Sequence, residues 1–500
     1  TAKNIFTEVN DRYIDINNDL TFFNHNQNFL WSSSADGYHH LYIYNIKGEL
    51  VKQVTSGKWD VTSFYGIDEK TNTIYFQSAE VSPLERYVYS IRTDGTDKKQ
   101  LTTEVGTNDA SFVRGFLYFM NSYSDANHPP SYSLCSNDGK VVRLLEDNKS
   151  LNQNLQSLQL SPKKFFSFRI PEGTLLNGFI IKPIGFDSTK KYPVYMFCYG
   201  GPGSQKVLNA WGGNDFMYHE YLAQHGYVVV CVDNRGTGAR GQDFQKCTYL
   251  QLGKLETQDQ IDAAKYLQQK SWVDESRIGM FGWSFGGYMA ARCITVGASV
   301  FKTAVAVAPV TDWRYYECVY TERYMRTDVE NKSGYDSTSV ISYVPKITGK
   351  LLLIHGLADD NVHYQNSAMF IKAIYQNNPI KDPFQALANS VSRTIYTSIV
   401  DFTFETIKNM LNADCDDPEL DTPVDFRDPF DTHLPTDRFN FQENNNSQTI
   451  RDNRKTSLEE ALPEIRLSPY GYDIEYTVDL FNLFSIKLSF KCFSVFKCFS

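Results

Sequence analysis

Over the first 160 positions, short apolar runs alternate with polar residues and are separated by turn residues, a period-two pattern that predicts β-strands. "FLWSSS" (29–34) leads to "LYIYNIKGELVKQVT", "IYFQSA" (74–79) to "YVYSIRTDGTDKKQLT", and "LYFMNS" (117–122) to "YSLCSNDGKVVRLL". Each unit reads as strand, variable loop, strand, polar turn carrying Gly, and strand. Placing Trp31, Phe76 and Phe119 in register gives spacings of 45 and 43 residues, the period of a β-propeller blade. An ordinary β-sandwich is the alternative. Three units are too few for a closed ring, which needs at least about four blades, so a partial propeller is expected over 1–164.

From 165 to 378 the pattern changes. "KYPVYMFCYGG" and "YVVVCVDNRG" are apolar runs ending in Gly, as buried parallel strands do. "NDFMYHEYLAQHG" lies between them with helical spacing and a Gly stop. "ETQDQIDAAKYLQQKSW" predicts a helix with apolar Ile261, Ala264, Tyr266 and Leu267. Strand "RIGMFGW", a helix from Phe285, and strands "TAVAVAPV" and "KLLLIHG" follow. Strand alternating with helix predicts a doubly wound, mostly parallel sheet.

Residues 379–500 read differently again. "DCDDPELDTPVDFRDPFDTHLPTDRF" is acidic and Pro-rich, and "NFQENNNSQTIRDNRK" is polar without periodicity, so an unassigned, partly disordered tail is expected. "FKCFS" occurs twice, at 490–494 and 496–500, with no chemistry attached.

Composition adds limits. A hydrophobic fraction of 42% and an aromatic fraction of 14% are those of a globular chain. A formal net charge of −9 makes nucleic acid and anionic membranes poor partners. The nine cysteines form no CxxC, no histidine cluster has metal-ligand spacing, and no cofactor or metal is expected. Cys198 and Cys231 sit in apolar runs as small hydrophobes. The N-terminal "TAKNIFTEVNDRYIDIN" has no apolar signal region and no initiator Met, and no apolar run reaches the length of a membrane span.

The sharpest chemical signal is "FGWSFGGYMA" (281–290). A Gly-x-Ser-x-Gly between a strand and a helix makes a sharp turn that projects the serine from the sheet. Side chains at Gly282 and Gly286 would strike the flanking elements. Ser284 is therefore the candidate nucleophile. The backbone N–H of Phe285 is one oxyanion donor, and the Tyr199 phenol in "CYGGPGSQ" is the candidate second. The acid should follow a later strand; "KLLLIHGLADDNVHYQNS" offers Asp359 first and Asp360 as runner-up.

On these residues the chain resembles the dipeptidyl-peptidase IV branch of the prolyl oligopeptidase family, its bacterial members above all. "GWSFGGYMA", "DNRGTGARG", "VAPVTDWRYYECVYTERYM" and "LIHGLADDNVHYQNS" carry the likeness, which runs from about residue 20 to about 377. The resemblance implies a β-propeller followed by an α/β-hydrolase domain (165–378) and a serine exopeptidase cleaving after a penultimate Pro or Ala. It also implies Ser284, Asp359 and Tyr199 in the roles above. Val310, Trp313, Tyr316, Tyr320 and Val362 match the pocket for the proline ring, and Asn361 the group that holds a substrate carbonyl. A homodimer and a periplasmic or secreted location are implied too.

Two departures stand against it. The family's catalytic His lies a little over thirty residues beyond the Asp, near Val391 here, yet no histidine occurs between His363 and His433. His355 reads as a structural histidine at a strand end, and His433 is the remaining candidate base. The family's paired Glu, which anchors a substrate amino terminus, is also missing, since no Glu-Glu precedes position 459. The expectation is a family segment, incomplete at both ends, joined to unrelated sequence. Three readings stay open: an active dipeptidyl peptidase, a catalytically dead hydrolase-fold protein that binds proline-containing peptides, and another prolyl oligopeptidase-type peptidase.

Overall fold

The computed structural model describes residues 3–377, and beyond them the backbone of 395–396, 465–468, 471–480 and 484–492. Expectations for the rest of 379–500, His433 included, fall outside the described residues.

The N-terminal third forms three antiparallel four-stranded sheets, spanning 21–53, 61–100 and 107–146. Trp31, Phe76 and Phe119 occupy the second strand of their respective sheets. The predicted turns carry Gly48, Gly95 and Gly139, each at a φ of 83–90° that a side chain rarely adopts. Phe76 and Phe119 are fully buried between sheets. Trp31 is only half-buried and donates to Glu8 at 2.7 Å. The first strand of each sheet, over 21–23, 61–68 and 107–112, lies outside the strands that the pattern predicts. "VTSFYGID" and "TNDASF" are half-buried and mostly polar, so they show no clean alternation.

The second region is an α/β-hydrolase sheet. Its strands are β1 (Lys164–Arg169), β2 (Leu175–Ile181), β3 (Tyr192–Phe197), β4 (Val228–Asp233), β5 (Val273–Trp283), β6 (Thr303–Val307), β7 (Lys350–Ile354) and β8 (Ile395–Tyr396). Their spatial order is β1-β2-β4-β3-β5-β6-β7-β8, antiparallel at the β1–β2–β4 edge and parallel elsewhere. The β1–β2 hairpin, not assigned from sequence, ends in a turn at Gly173. The helices used below are α1 (Gly213–Gln224), α2 (Lys254–Gln268), α3 (Phe285–Val296), α4 (Cys318–Met325) and α5 (Gln365–Asn377).

Strand β4 is buried along its whole length, which explains its unbroken Val-Val-Val-Cys-Val run. Burying one such aliphatic side chain contributes ~1.5–3 kcal/mol. Helix α2 is amphipathic only in part: its buried face includes Glu256, Thr257, Asp259 and Gln260 beside Ile261, Ala264 and Leu267. Among the described residues no helix is long and apolar enough to cross a membrane, and no trio of His, Cys, Asp or Glu is placed to hold a metal. A second compact unit, 425–500, contains a three-stranded antiparallel sheet of Ile465–Ser468, Gly471–Leu480 and Phe484–Cys492.

Buried carboxyls give this fold a pH signature. Burial pushes Glu256 up to about 8; the nearby N–H groups of Gly253 and Glu256 offset this only in part, and neither carboxyl oxygen makes a full hydrogen bond. Glu220 is pushed up to about 7 and Asp233 to about 6 by the same cause. Each binds its proton more tightly folded than unfolded, so each lowers stability as pH rises from its unfolded value towards its folded one. His219, stacked on Phe197 and pushed down to about 3 by burial, works oppositely below its unfolded value of 6.5. The decline is therefore clearest from pH 6.5 to 8. We expect the urea midpoint to fall across that window, and Glu256→Gln to flatten most of the fall; a midpoint as steep in the variant would contradict this.

Candidate active site

Strand β5 runs straight into α3 through Ser284, whose φ of 58° and ψ of −118° lie outside the ordinary regions for an L-residue. Such a conformation costs on the order of 1–3 kcal/mol and must be held by its surroundings. The Ser284 N–H donates to Val307 O at 2.9 Å, and its carbonyl accepts from Tyr288 N at 2.9 Å. The glycines allow the bend. A Cβ on Gly282 would fall well inside 3.0 Å of the Gly286 carbonyl, and one on Gly286 also inside 3.0 Å of the Cys198 carbonyl just past β3. Gly287 is hemmed in likewise by Val307 O.

The loop after β3 brings Tyr199 to the serine. Burial raises the Tyr199 phenol above its ordinary value, and a hydrogen bond from the Ser284 hydroxyl offsets part of that rise. The phenol thus stays protonated, able to donate, at neutral pH. Phe285 opens α3, so its N–H has no acceptor within the helix. Phe285 is buried, and its ring lies 5.9 Å from that of Tyr199 and 5.6 Å from that of Trp313.

An aromatic slot faces this corner. Trp313 and Tyr320 stack at 6.0 Å and 26°; Tyr316 meets Tyr320 edge-on at 5.4 Å and 85°. Val310 and Val362 are buried in the same cluster, against which Tyr199, Tyr316 and Tyr320 pack. Burial raises both slot phenols, Tyr320 well above the ordinary value, with Tyr199 among the neighbours that raise each further.

Local capping builds the slot. Asp312 accepts from Arg314 N at 2.9 Å and Glu317 from Tyr320 N at 2.9 Å, starting α4 in place. Arg314 spans Asp312, Asp328 and Asp336 on the outer side. The buried Asn366 of α5 accepts from Thr311 N at 2.9 Å and donates to Tyr315 O at 3.0 Å, tying the slot to the loop after β7. Trp313 is pinned from below by its indole N–H to Leu252 O at 3.2 Å.

In that loop Asp359 Oδ1 accepts from the N–H groups of Asn361 and Val362 at 3.0 and 2.9 Å. Asn361 Oδ1 accepts from the Tyr316 hydroxyl at 3.0 Å, so acid loop and slot are joined. Asp360, the runner-up, makes no side-chain hydrogen bond among the described residues. His355 is committed elsewhere: its Nε2 donates to Val362 O at 2.6 Å and its Nδ1 accepts from the Ser367 hydroxyl at 2.7 Å. Asp359 Oδ2 lies 3.5 Å from that Nε2. His363 is exposed, and among the described residues no histidine is bonded to Ser284.

Sequence reasoning did not single out Asn366, Glu256 or the pair Asn234 and Gln260. Only "DNRGTG" offered a signal, and it carried no assigned chemistry.

The chain is similar to known proteins. The profile described as the prolyl oligopeptidase family matches residues 214–387, and that of the dipeptidyl peptidase IV N-terminal region matches 1–130. A dipeptidyl peptidase 4 of Arthroderma otae is 36% identical over 360 residues, which is 70% of this chain and 46% of that protein. A probable dipeptidyl peptidase 4 of Emericella nidulans is 35% identical over 360 residues, 71% and 46% of the two chains. The crystal structure of Porphyromonas gingivalis dipeptidyl peptidase 4 shares 45% identity with a TM-score of 0.72, covering 75% of this chain and 53% of its own. A putative dipeptidyl aminopeptidase IV from Bacteroides ovatus gives 28% and 0.65, with 72% and 53% coverage. The chain thus spans about half the length of these relatives.

Proposed function

For a chain that belongs to the prolyl oligopeptidase family, in its dipeptidyl-peptidase IV branch, we propose a serine peptidase that releases N-terminal dipeptides with Pro or Ala in the second position. The observation that carries the proposal is the strained elbow at Ser284, with the Tyr199 ring 5.9 Å from that of the adjacent Phe285, beside the Trp313–Tyr316–Tyr320 slot.

In the proposed reaction the substrate's proline ring enters that slot, where flat aromatic faces and the walls Val310 and Val362 exclude water. Burying its three methylenes is worth ~2.4 kcal/mol at ~0.8 each. Asn361 and the Tyr316 hydroxyl hold a substrate carbonyl. Ser284 Oγ attacks the scissile carbon, and the oxyanion accepts hydrogen bonds from Tyr199 and the Phe285 N–H. Collapse breaks the C–N bond as the base passes the serine's proton to the leaving amine, and the ester left on Ser284 is then hydrolysed by water. The serine proton requires a base oriented by Asp359, and His433 is the candidate in the chain. A peptide is the proposed partner; the homodimer implied by resemblance would read as twice 57.3 kDa in light scattering.

One observation favours the second reading, binding without turnover: both ring nitrogens of His355 are occupied. Release of a fluorophore from Gly-Pro-aminocoumarin, absent in Ser284→Ala, supports the peptidase. Binding of Gly-Pro peptide with no release supports the binder. Preferential cleavage of an acetyl-blocked substrate would shift the assignment to another prolyl oligopeptidase type. For the slot itself, Tyr320→Ala is expected to weaken Gly-Pro peptide binding by about tenfold, read by titration calorimetry; unchanged binding would remove the slot from the account.

A further inference from the structure

The loop that carries Tyr199 needs a fixed frame, and one buried side chain supplies it next to the tyrosine. Asn234 directly follows β4 and is fully buried. Its Nδ2 donates to Gly200 O at 3.0 Å and to Arg235 O at 2.7 Å. Its Oδ1 accepts from Gln260 Nε2 at 3.1 Å, and the same Nε2 donates to Val232 O at 2.8 Å. Gln260 thus dictates which way the Asn234 amide faces: oxygen towards α2, nitrogen towards Gly200. Gly200 has a φ of +79°, and a Cβ there would lie 2.7 Å from Asn234 Oδ1, so a glycine is required at this contact.

The neighbouring residue holds the frame rigid. Arg235 N and its guanidinium bond Asp259 of α2 at 2.7–3.1 Å, with Asp259 fully buried. Further along, Gly203 N donates to Gly236 O at 2.9 Å and Gly238 N to Ser204 O at 2.9 Å. Two loops therefore zip together, and the Asn234 bond to Gly200 is the rung nearest Tyr199.

We propose that Asn234, oriented by Gln260, is a positioning residue that fixes the Tyr199 phenol against Ser284. The inference rests on Tyr199 serving as oxyanion donor. Hydrogen bonds to a developing charge are effective only when their donors are held before the charge appears. Freeing the Gly200 carbonyl lets the Tyr199 backbone swing and takes the phenol off the reacting atom.

A double-mutant cycle on phosphonylation of Ser284 by a fluorophosphonate tests this. Tyr199→Phe is expected to slow labelling about 10²-fold. Asn234→Ala should slow it about tenfold, and the isosteric Asn234→Asp, which turns a carboxylate oxygen on the Gly200 carbonyl, at least as much. In the Tyr199→Phe background Asn234→Ala should have almost no further effect. Multiplying effects in the double variant, or full speed in Asn234→Ala, would overturn the positioning role while leaving Tyr199 intact. Full speed in Tyr199→Phe would overturn the oxyanion reading, and this inference with it. Hydrogen exchange gives a readout independent of labelling: amides of 200–204 should exchange about tenfold faster in both Asn234 variants, with those of 286–296 unchanged. Unchanged exchange at 200–204, or loss of protection in both segments together, contradicts the proposal.

Discussion

Ser284→Ala is expected to abolish covalent capture of a fluorophosphonate, with the protein otherwise folded as before. The elbow presents one hydroxyl, next to the Phe285 N–H, which opens α3 and has no acceptor within the helix. Alanine keeps the strained backbone, so the cost already present at φ 58° is neither added to nor relieved. The hydroxyl removed is on a half-buried residue, and at most one hydrogen bond worth about 1 kcal/mol goes with it. The expected pattern is total loss of label with a melting shift of a few degrees. Label persisting in the variant would place the reactive group elsewhere, and a collapse in stability would make Ser284 a structural residue.

The second large effect concerns folding. Gly282→Ala places a methyl against the Gly286 carbonyl, its carbon and its Cα, all backbone of α3. No rotamer can move them, so β5 and α3 must separate at the point where they join. We expect a loss of about 3–5 kcal/mol, among the larger single-residue effects, against a total stability of roughly 5–15 kcal/mol. Gly356→Ala is the matched control, since its Cβ meets nothing within 4 Å and its backbone is ordinary. A urea midpoint for Gly282→Ala equal to that of the control would show that the elbow tolerates a side chain.

The contrast between these glycines explains what could be read from sequence. The elbow's demands are local: three glycines and a serine in the six residues 282–287 encode a steric fact that survives without coordinates. The repeat of Trp31, Phe76 and Phe119 was legible for a similar reason, because each stands in the second strand of its sheet, at a regular spacing set by the Gly-bearing turns. The β1–β2 hairpin was not. Its half-buried residues break the alternation, and its pairing with β4 joins residues about fifty positions apart. Helix α2 shows the same limit. Its apolar positions announced a helix, but nothing announced that Glu256, Asp259 and Gln260 share the buried face.

The site divides along that line. Ser284, Tyr199, Asp359 and the slot residues lie together, and the motifs carrying them could be found one at a time. The bonds that fix them, from Asn366 to Thr311 or Asn234 to Gly200, cross 55 and 34 positions and leave no periodic trace. The missing base is another matter: no histidine stands where spacing from Asp359 expects one, and chain distance alone gives no position for His433.

The most direct test is a peptide map after treatment with a Gly-Pro diphenyl phosphonate and, separately, its Gly-Leu counterpart. An adduct on Ser284 alone is expected, formed at least about tenfold faster with the proline probe, in keeping with a slot shaped for a flat ring. An adduct on any other side chain, or equal rates for the two probes, would contradict it.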